Sequence, residues 1–167
     1  MNAPMRRRIL LCLLLIGAAA SSTRAGTTVY GPHPSNATET TVVAPTGTTS
    51  TTGAMMGLAG TITPAHSGNV LLIVSGTLTN GTTGDGAALQ IRYGTGTAPT
   101  NGATLTGTAV GNNISDNNPV LNKIPFSVQA VVTGLTVGTA YWVDVGLAAV
   151  TGGTASIATV SVSALEL

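Results

Sequence analysis

Apolar and polar residues alternate along most of this chain from residue 54 onward. The alternation is clearest in four stretches, residues 69–79, 87–93, 124–132 and 139–147. Because successive side chains of a strand point to opposite faces, a period of two predicts half-buried β-strands. The faces expected to point inward carry Val70, Leu72, Val74 and Leu78, then Ala87, Leu89, Ile91 and Tyr93, then Ile124, Phe126, Val128, Ala130 and Val132, and finally Tyr141, Val143, Val145 and Leu147.

The last segment, residues 155–167, changes phase in its middle. Ile157 lies on the odd-numbered face, whereas Val160 and Val162 lie on the even-numbered face. Since a slip of one residue moves every later side chain to the other face, this pattern predicts a β-bulge or a break near Ala158 and Thr159. Weaker alternation predicts two further strands, at residues 55–63 and 104–110.

Clusters of glycine, asparagine and threonine separate these strands and predict the connections between them. They cover residues 79–86, 112–118, 133–138 and 151–153. Glycine and asparagine favour turns because they tolerate a positive φ. The region after residue 25 shows no helical stripe. About eight short strands joined by turns predict an all-β fold, an antiparallel two-sheet sandwich of the jelly-roll type.

The N-terminal segment, residues 1–25, has the three parts of a secretory signal peptide. Three arginines from Arg6 are followed by an apolar run and by a polar, small-residue end at Ala25. The run is shorter than the roughly 20 residues that a membrane-spanning helix needs. We therefore expect a helical signal segment that is cleaved, with an uncleaved membrane anchor as the alternative. A secreted or cell-envelope location follows from either.

The rest of the chain divides by composition into two parts. Residues 26–53 are rich in Thr, Ser, Gly and Pro, and we expect an extended arm or a loosely paired first strand there. Residues 54–167 contain the alternating pattern and are expected to form the β-sandwich domain.

The chain has few charged residues, and its net charge is negative when the predicted signal segment, residues 1–25, is left out. Charged residues make up 7% of the chain, against roughly 25% in an average soluble domain. After residue 25 only Arg92 and Lys123 remain against five acids, which gives a net charge of −3. A basic surface for nucleic acid is absent, so no nucleic-acid partner is expected, and membrane contact is expected only through an uncleaved leader.

The inventory of reactive side chains is too thin to predict an enzyme, a cofactor site or a metal site. The single cysteine, Cys12, lies in the leader, and His33 and His66 are the only histidines. Residues 112–118 form the densest group of side-chain oxygens, but they contain one carboxylate, whereas calcium sites use several. We therefore predict no catalytic residues, no metal and no cofactor.

One acid has an aromatic neighbour on the same strand face, since Trp142 lies two residues before Asp144. An acid beside an outward-facing ring suits a sugar-binding platform, to which Tyr93 and Tyr141 would add further rings. The alternative is that an outward Trp142 packs at a subunit interface. The candidate binding residues are therefore Trp142, Asp144 and Tyr93.

Three stretches carry a resemblance to a known family. Residues 62–76 run from Thr63-Pro64 through Ser67-Gly68 into a long strand, residues 134–143 form a glycine turn leading into an aromatic strand, and residues 161–167 close the chain. Together they resemble phage and prophage minor structural proteins with a jelly roll of the tumour-necrosis-factor or complement type. The resemblance implies a homotrimer with a virion or cell-surface role.

The function hypotheses follow from these features. The first is an exported, non-enzymatic structural protein that acts in surface assembly or adhesion, and the export signal favours a secreted bacterial protein with such a fold. The alternative is a secreted carbohydrate-binding module. The second alternative is a prophage-derived virion protein of a fibre or decoration. The expected partners are further copies of the chain in a trimer, with a glycan or another cell-surface partner as a further option.

Overall fold

The computed structural model describes residues 37–42, 44–117 and 123–167, all of which belong to one unit, His33–Leu167. The predicted signal segment, residues 1–25, and the first part of the predicted arm lie outside the described residues. The described residues form strands and connections, with no helix among them. They accordingly contain no helix of the length and apolar character that crossing a membrane requires.

Nine strands make up the described fold. They are numbered here in chain order: β1 Ala37–Val42, β2 Ala54–Met55, β3 Gly60–Ile62, β4 Val70–Asn80, β5 Gly86–Thr95, β6 Thr108–Asn117, β7 Ile124–Val132, β8 Tyr141–Val150 and β9 Ala155–Glu166.

These strands build two antiparallel sheets. Sheet A has the order β1-β9-β4-β7, and sheet B has the order β2-β8-β5-β6, with β3 also paired to β8. Consecutive strands repeatedly change sheet, because β4, β7 and β9 belong to sheet A and β5, β6 and β8 belong to sheet B. The predicted all-β antiparallel sandwich is confirmed, with nine strands in place of about eight.

The core lies between the two sheets and is built from the predicted inward faces. On β4 and β8, for example, Val74 and Val145 are fully buried, and they come from opposite sheets. Residues at the strand ends, including Tyr93, Tyr141 and Ile124, are only partly buried. Burial alternates along strands such as β4 and β7, as the sequence pattern predicted, because each strand of a sandwich has one face on the core and one away from it.

The phase change in β9 is a β-bulge, as predicted. Ser161 pairs with Ser75 of β4, but Ala158 pairs with Thr77, so β9 has one extra residue at this point. Thr159 has a φ of 49°, in the left-handed region that a β-branched residue rarely adopts. The bulge lets Ile157 and Val160 both point into the core although they are an odd number of residues apart.

The prediction of a loop at residues 112–118 was wrong over its described part. Residues up to Asn117 belong to β6, which pairs with β5 and forms the outer strand of sheet B. An edge strand has little buried surface, and most side chains of β6 are exposed, so polar residues are tolerated there. The register between β5 and β6 shifts between Leu89 and Ile91 of β5. Gly111, in the facing part of β6, has a φ of 68°, and the two features together mark a second bulge.

The strand expected at residues 55–63 is split into β2 and β3. Both pieces pair with β8, but the residues between them are outside the ladder, although the N–H of Met56 still donates to the carbonyl of Val145 at 3.1 Å. Gly57 and Ala59 have φ values of 68° and 52° in this segment. The alternating pattern missed the interruption because Met56 and Leu58 are themselves buried.

The predicted arm, residues 26–53, is part of the sandwich where it is described. β1 pairs along its whole length with β9. Further on, Thr48 forms a bridge to Ala155, with N–H to O=C distances of 2.8 Å and 2.9 Å in the two directions. Sheet A therefore begins before residue 54.

Candidate functional site

The carboxylate of Asp144 is bound by backbone N–H groups. Gly57 N–H donates to Oδ2 at 2.9 Å, Leu58 N–H donates to Oδ1 at 3.1 Å, and the N–H of Val145 donates to Oδ1 at 2.7 Å. The side chain is 1% exposed. It fills the gap where residues 56–59 leave the ladder with β8. Asp144 thus joins the interrupted edge of sheet B to β8 and presents no acid to solvent.

Burial controls the protonation of this group. Removing the carboxylate from water raises the pKa of Asp144 above its usual 3.8, while the backbone N–H donors, that of Leu58 foremost, act in the opposite direction. Burial dominates because a charge transferred from water to a low-dielectric site loses more solvation than the neutral backbone donors restore.

Trp142 lies on the same outer face of sheet B but is covered. Its side chain is 5% exposed, and its Nε1–H donates to the carbonyl of Thr95 at 3.1 Å. Gly94 and Gly107 lie directly against the ring, because a Cβ on them would come within 2.6 Å and 2.3 Å of indole carbons. The alternation placed the side chain on the correct face, and the strand ends and connection at residues 94–107 fold over it.

Tyr93 and Tyr141 lie on the inner face at one end of sheet B. Their ring centroids are 6.2 Å apart with the planes inclined at 54°. The hydroxyl of Tyr141 accepts the N–H of Thr136 at 3.0 Å. Both rings pack against the core. The structure therefore brings Trp142, Asp144 and Tyr93 to one end of the sheet, but not as a flat, exposed ring surface.

His66 lies in the connection before β4, near the C-terminal end of β9. Its Nδ1 is 3.9 Å from Oε2 of Glu166, and its side chain is about half exposed. The buried Glu166 carboxylate accepts the N–H groups of Ala65 at 2.9 Å and of His66 at 2.6 Å, together with that of Ser67. This arrangement ties the end of β9 to the connection, a role that the sequence pattern did not indicate.

The remaining acids are dispersed. Oδ1 of Asp85 accepts the Thr151 hydroxyl at 2.6 Å, and Oε1 of Glu39 accepts the Ser161 hydroxyl at 3.0 Å. Within the described residues, no group of three or more His, Cys, Asp or Glu side chains is placed to hold a metal ion.

A shallow groove of about 430 Å³ lies on the outer face of sheet B, beyond Asp144. Its floor is formed by small residues of β5 and β8, including Ala88, Gly146 and Ala148. Arg92 and Gln90 of β5 also line it. The strand alternation placed Arg92 and Gln90 outward, but only the pairing of β5 with β8 puts them beside a strip of small residues. Sequence reasoning did not find this groove.

Comparison with known proteins adds little. No protein-family model matches the chain, and no curated protein matches it. Among solved structures it is similar to Eiger TNF from S. frugiperda, with 10% sequence identity, a TM-score of 0.34, and coverage of 80% of this chain and 87% of that one. A similarity of this size carries no argument about function, and the resemblance to phage proteins stays a prediction.

Replacing Gly107 by alanine tests the packing of Trp142. The new Cβ would lie 2.3 Å from the indole ring and 2.5 Å from the carbonyl oxygen of Tyr93. Overpacking of this kind costs about 1–3 kcal/mol. Gly102→Ala is the matched control, because Gly102 also has a positive φ but nothing lies within 4 Å of its Cβ position. We expect Gly107→Ala to unfold at a lower urea concentration than the control.

The same pair of variants has a spectroscopic measure, since Trp142 is the only tryptophan in the chain. Its emission should shift to longer wavelength in Gly107→Ala and stay at the wild-type position in Gly102→Ala. Equal stability and identical spectra for the two variants would show that the ring is not held between these glycines.

The Asp144→Asn variant tests the buried carboxyl through pH. Because its folded-state pKa is raised, the folded protein holds this proton more tightly than the unfolded chain. Stability is therefore lost as the pH rises above about 4. Denaturation in urea between about pH 3 and about pH 8 should show the wild-type free energy of unfolding falling, relative to the variant, with rising pH.

Asp144→Asn is also expected to be less stable than wild type by an amount that does not change with pH. The asparagine amide leaves an N–H of residue 57 or 58 unpaired, which costs about 1–3 kcal/mol at every pH. Asp116→Asn makes the same charge change on the edge strand β6 and serves as the control. If the free energy of unfolding of wild type rose with pH relative to that of Asp144→Asn, the raised pKa of Asp144 would be contradicted.

Proposed function

We propose that this chain is an exported, non-enzymatic structural protein that assembles with copies of itself through the outer face of sheet A. The proposal rests on the exposed row of apolar residues across that face and on its low charge. Export is inferred from residues 1–25, and a secreted or cell-envelope location is proposed on the same ground.

The outer face of sheet A carries almost no charge. A row of apolar residues crosses it, because Leu71 of β4 pairs with Val131 of β7 on one side and with Leu165 of β9 on the other. Val131 is 57% exposed and Leu165 is 42% exposed. The neighbouring row contains Ile73 of β4 beside Ser163 of β9. Among the described residues of this face, Glu39 on the edge strand is the one charged side chain.

Such a face is suited to burial against protein. Interface centres are depleted of charged residues, and a contiguous apolar patch on a small domain marks an interaction surface. The short serine and threonine side chains around the row lose little conformational entropy when they become buried. A second copy of the same chain is the proposed partner, and the resemblance noted in the sequence favours three copies.

The non-enzymatic part of the proposal is supported by where the acids are used. Asp144 and Glu166 bind backbone N–H groups that fix irregular segments. Glu39 and Asp85 each accept a hydroxyl. A general acid or base needs a titratable group that reaches a substrate, and the two buried acids, Asp144 and Glu166, are instead engaged with backbone N–H groups.

The two other hypotheses have different support. A carbohydrate-binding platform on Trp142 and Tyr93 is the weaker proposal, because the indole ring is buried and the tyrosine pair is tilted. A virion fibre or decoration protein would use the same assembling face. It differs from the first proposal in export, which is therefore the property to measure.

Leu165→Glu is expected to break the assembly. Light scattering of the purified wild-type protein at two concentrations should give the mass of three copies. The variant should give the mass of one, because assembly would bury the new carboxylate in an apolar contact without a partner of opposite charge. Val137→Glu is the control, since Val137 is also exposed, at 48%, but lies in the connection between β7 and β8. A monomeric wild-type protein would end the proposal.

Export predicts a defined N-terminus. When the full chain is produced in a secreting bacterium, mass spectrometry of the protein recovered outside the cytoplasm should show a chain that begins at Gly26. Changing the three arginines from Arg6 to Arg8 to glutamate should retain the full-length chain in the cytoplasm. An unprocessed wild-type chain that stays in the cytoplasm would favour the virion hypothesis instead.

A further inference from the structure

Arg92 is held in a fixed position on the outer face of sheet B. Its Nη1 donates to the carbonyl of Thr106 at 3.0 Å and to the carbonyl of Gly107 at 3.2 Å. The side chain crosses β8 at Gly146, where a Cβ would come within 3.2 Å of Nε. The guanidinium is therefore oriented before any ligand arrives, which lowers the entropy cost of binding.

The positive charge of Arg92 has no acidic partner in the part of the chain that the structure describes. All five acids of the sequence lie in the described residues, and none of them forms an ion pair with Arg92. Asp144 is its direct cross-strand partner in the ladder, but its carboxylate faces the N–H groups of Gly57 and Leu58. The donors on Nε and Nη2 have no acceptor among the described residues, so they are available to an anion.

The groove next to Arg92 has a floor of small residues, and its sides are polar apart from Leu105, which lies against Gly146. Ala88 of β5 and Ala148 of β8 are direct cross-strand partners on this face. Amide side chains of Gln90 and Asn113 line one side, and the hydroxyls of Thr51 and Thr52 belong to the lining as well. Its volume of about 430 Å³ falls in the range of small-molecule sites, roughly 300–1,000 Å³.

We propose that this groove binds a carboxylated sugar. The carboxylate would accept hydrogen bonds from the guanidinium of Arg92, as charge-assisted pairs of this type favour. The aliphatic floor suits one face of a sugar ring, and the amides and hydroxyls suit its hydroxyl groups. The site differs from the aromatic platform predicted around Trp142, and it does not rest on the proposed assembly, which uses sheet A.

Titration of the full chain with glucuronate and with glucose tests the proposal directly. Calorimetry gives the affinities. Trp142 fluorescence is a second readout, because Gly107, whose carbonyl accepts a hydrogen bond from Arg92, lies against the indole ring. We expect glucuronate to bind at least about tenfold more tightly than glucose, since a hydrogen bond to a charged group is worth about 1.5–3 kcal/mol. Equal affinities, or no binding of glucuronate, would overturn the proposal.

Three variants locate the site. Arg92→Gln should lower the affinity for glucuronate at least about tenfold, whereas Lys123→Gln removes the same charge from an exposed position outside the groove and should leave the affinity unchanged. If Arg92→Gln does not fold, the variant Ala148→Glu tests the site instead. It keeps Arg92 and places a carboxylate in the floor of the groove, where it would compete with the carboxylate of glucuronate for the guanidinium. Glucuronate affinity that survives Ala148→Glu, or that falls equally with Lys123→Gln, would refute the site.

Acetate and the assembly variant Leu165→Glu are two further controls on the groove. Acetate carries the carboxylate without the sugar, and acetate binding as tight as that of glucuronate would refute recognition of the ring. The assembly variant Leu165→Glu should bind glucuronate as the wild type does, since the groove lies on the other sheet. A loss of binding in that variant would contradict the independence of the two sites.

Discussion

The position of β9 between β1 and β4 is the constraint on which the rest of the structure depends. Without β9, sheet A would lose its second strand, β1 would have no partner, and the core would lose Ile157, Val160 and Val162. The bulge at Thr159 keeps both halves of β9 on the core. Since β9 pairs with β1 and β4, which are far from it in sequence, sheet A forms through non-local contacts, a topology associated with slow folding.

Two buried carboxylates fasten irregular segments to this frame. Asp144 takes up N–H groups that residues 56–59 leave without ladder partners, and Glu166 does the same for the connection at residues 65–67. A buried charge is costly unless hydrogen bonds surround it. Each carboxylate is therefore stabilised by the N–H groups of its segment, and those N–H groups are in turn satisfied by the carboxylate. In a chain with five acids, this use leaves few for chemistry.

The two outer faces of the sandwich differ in shape and charge. The face of sheet A is crossed by an apolar row and bordered by short hydroxyl side chains. The face of sheet B has a groove that contains Arg92, which has no ionic partner among the described residues. A flat uncharged surface suits protein contact, and a groove with one fixed charge suits a small anionic ligand. The proposed assembly surface and the proposed ligand site therefore lie on different sheets of the sandwich.

The period-2 pattern was sufficient to predict β4, β5, β7, β8 and the bulge in β9, because side-chain alternation is a local property of a strand with one face on a core. It failed at β6, whose polar residues resemble a loop, since exposure at a sheet edge depends on which strands lie beside it. It placed Trp142 and Asp144 on the correct side of β8 but left their burial undetermined. That burial depends on residues 56–58 and 94–107 folding over β8, and contacts between distant segments leave no periodic signal in the sequence.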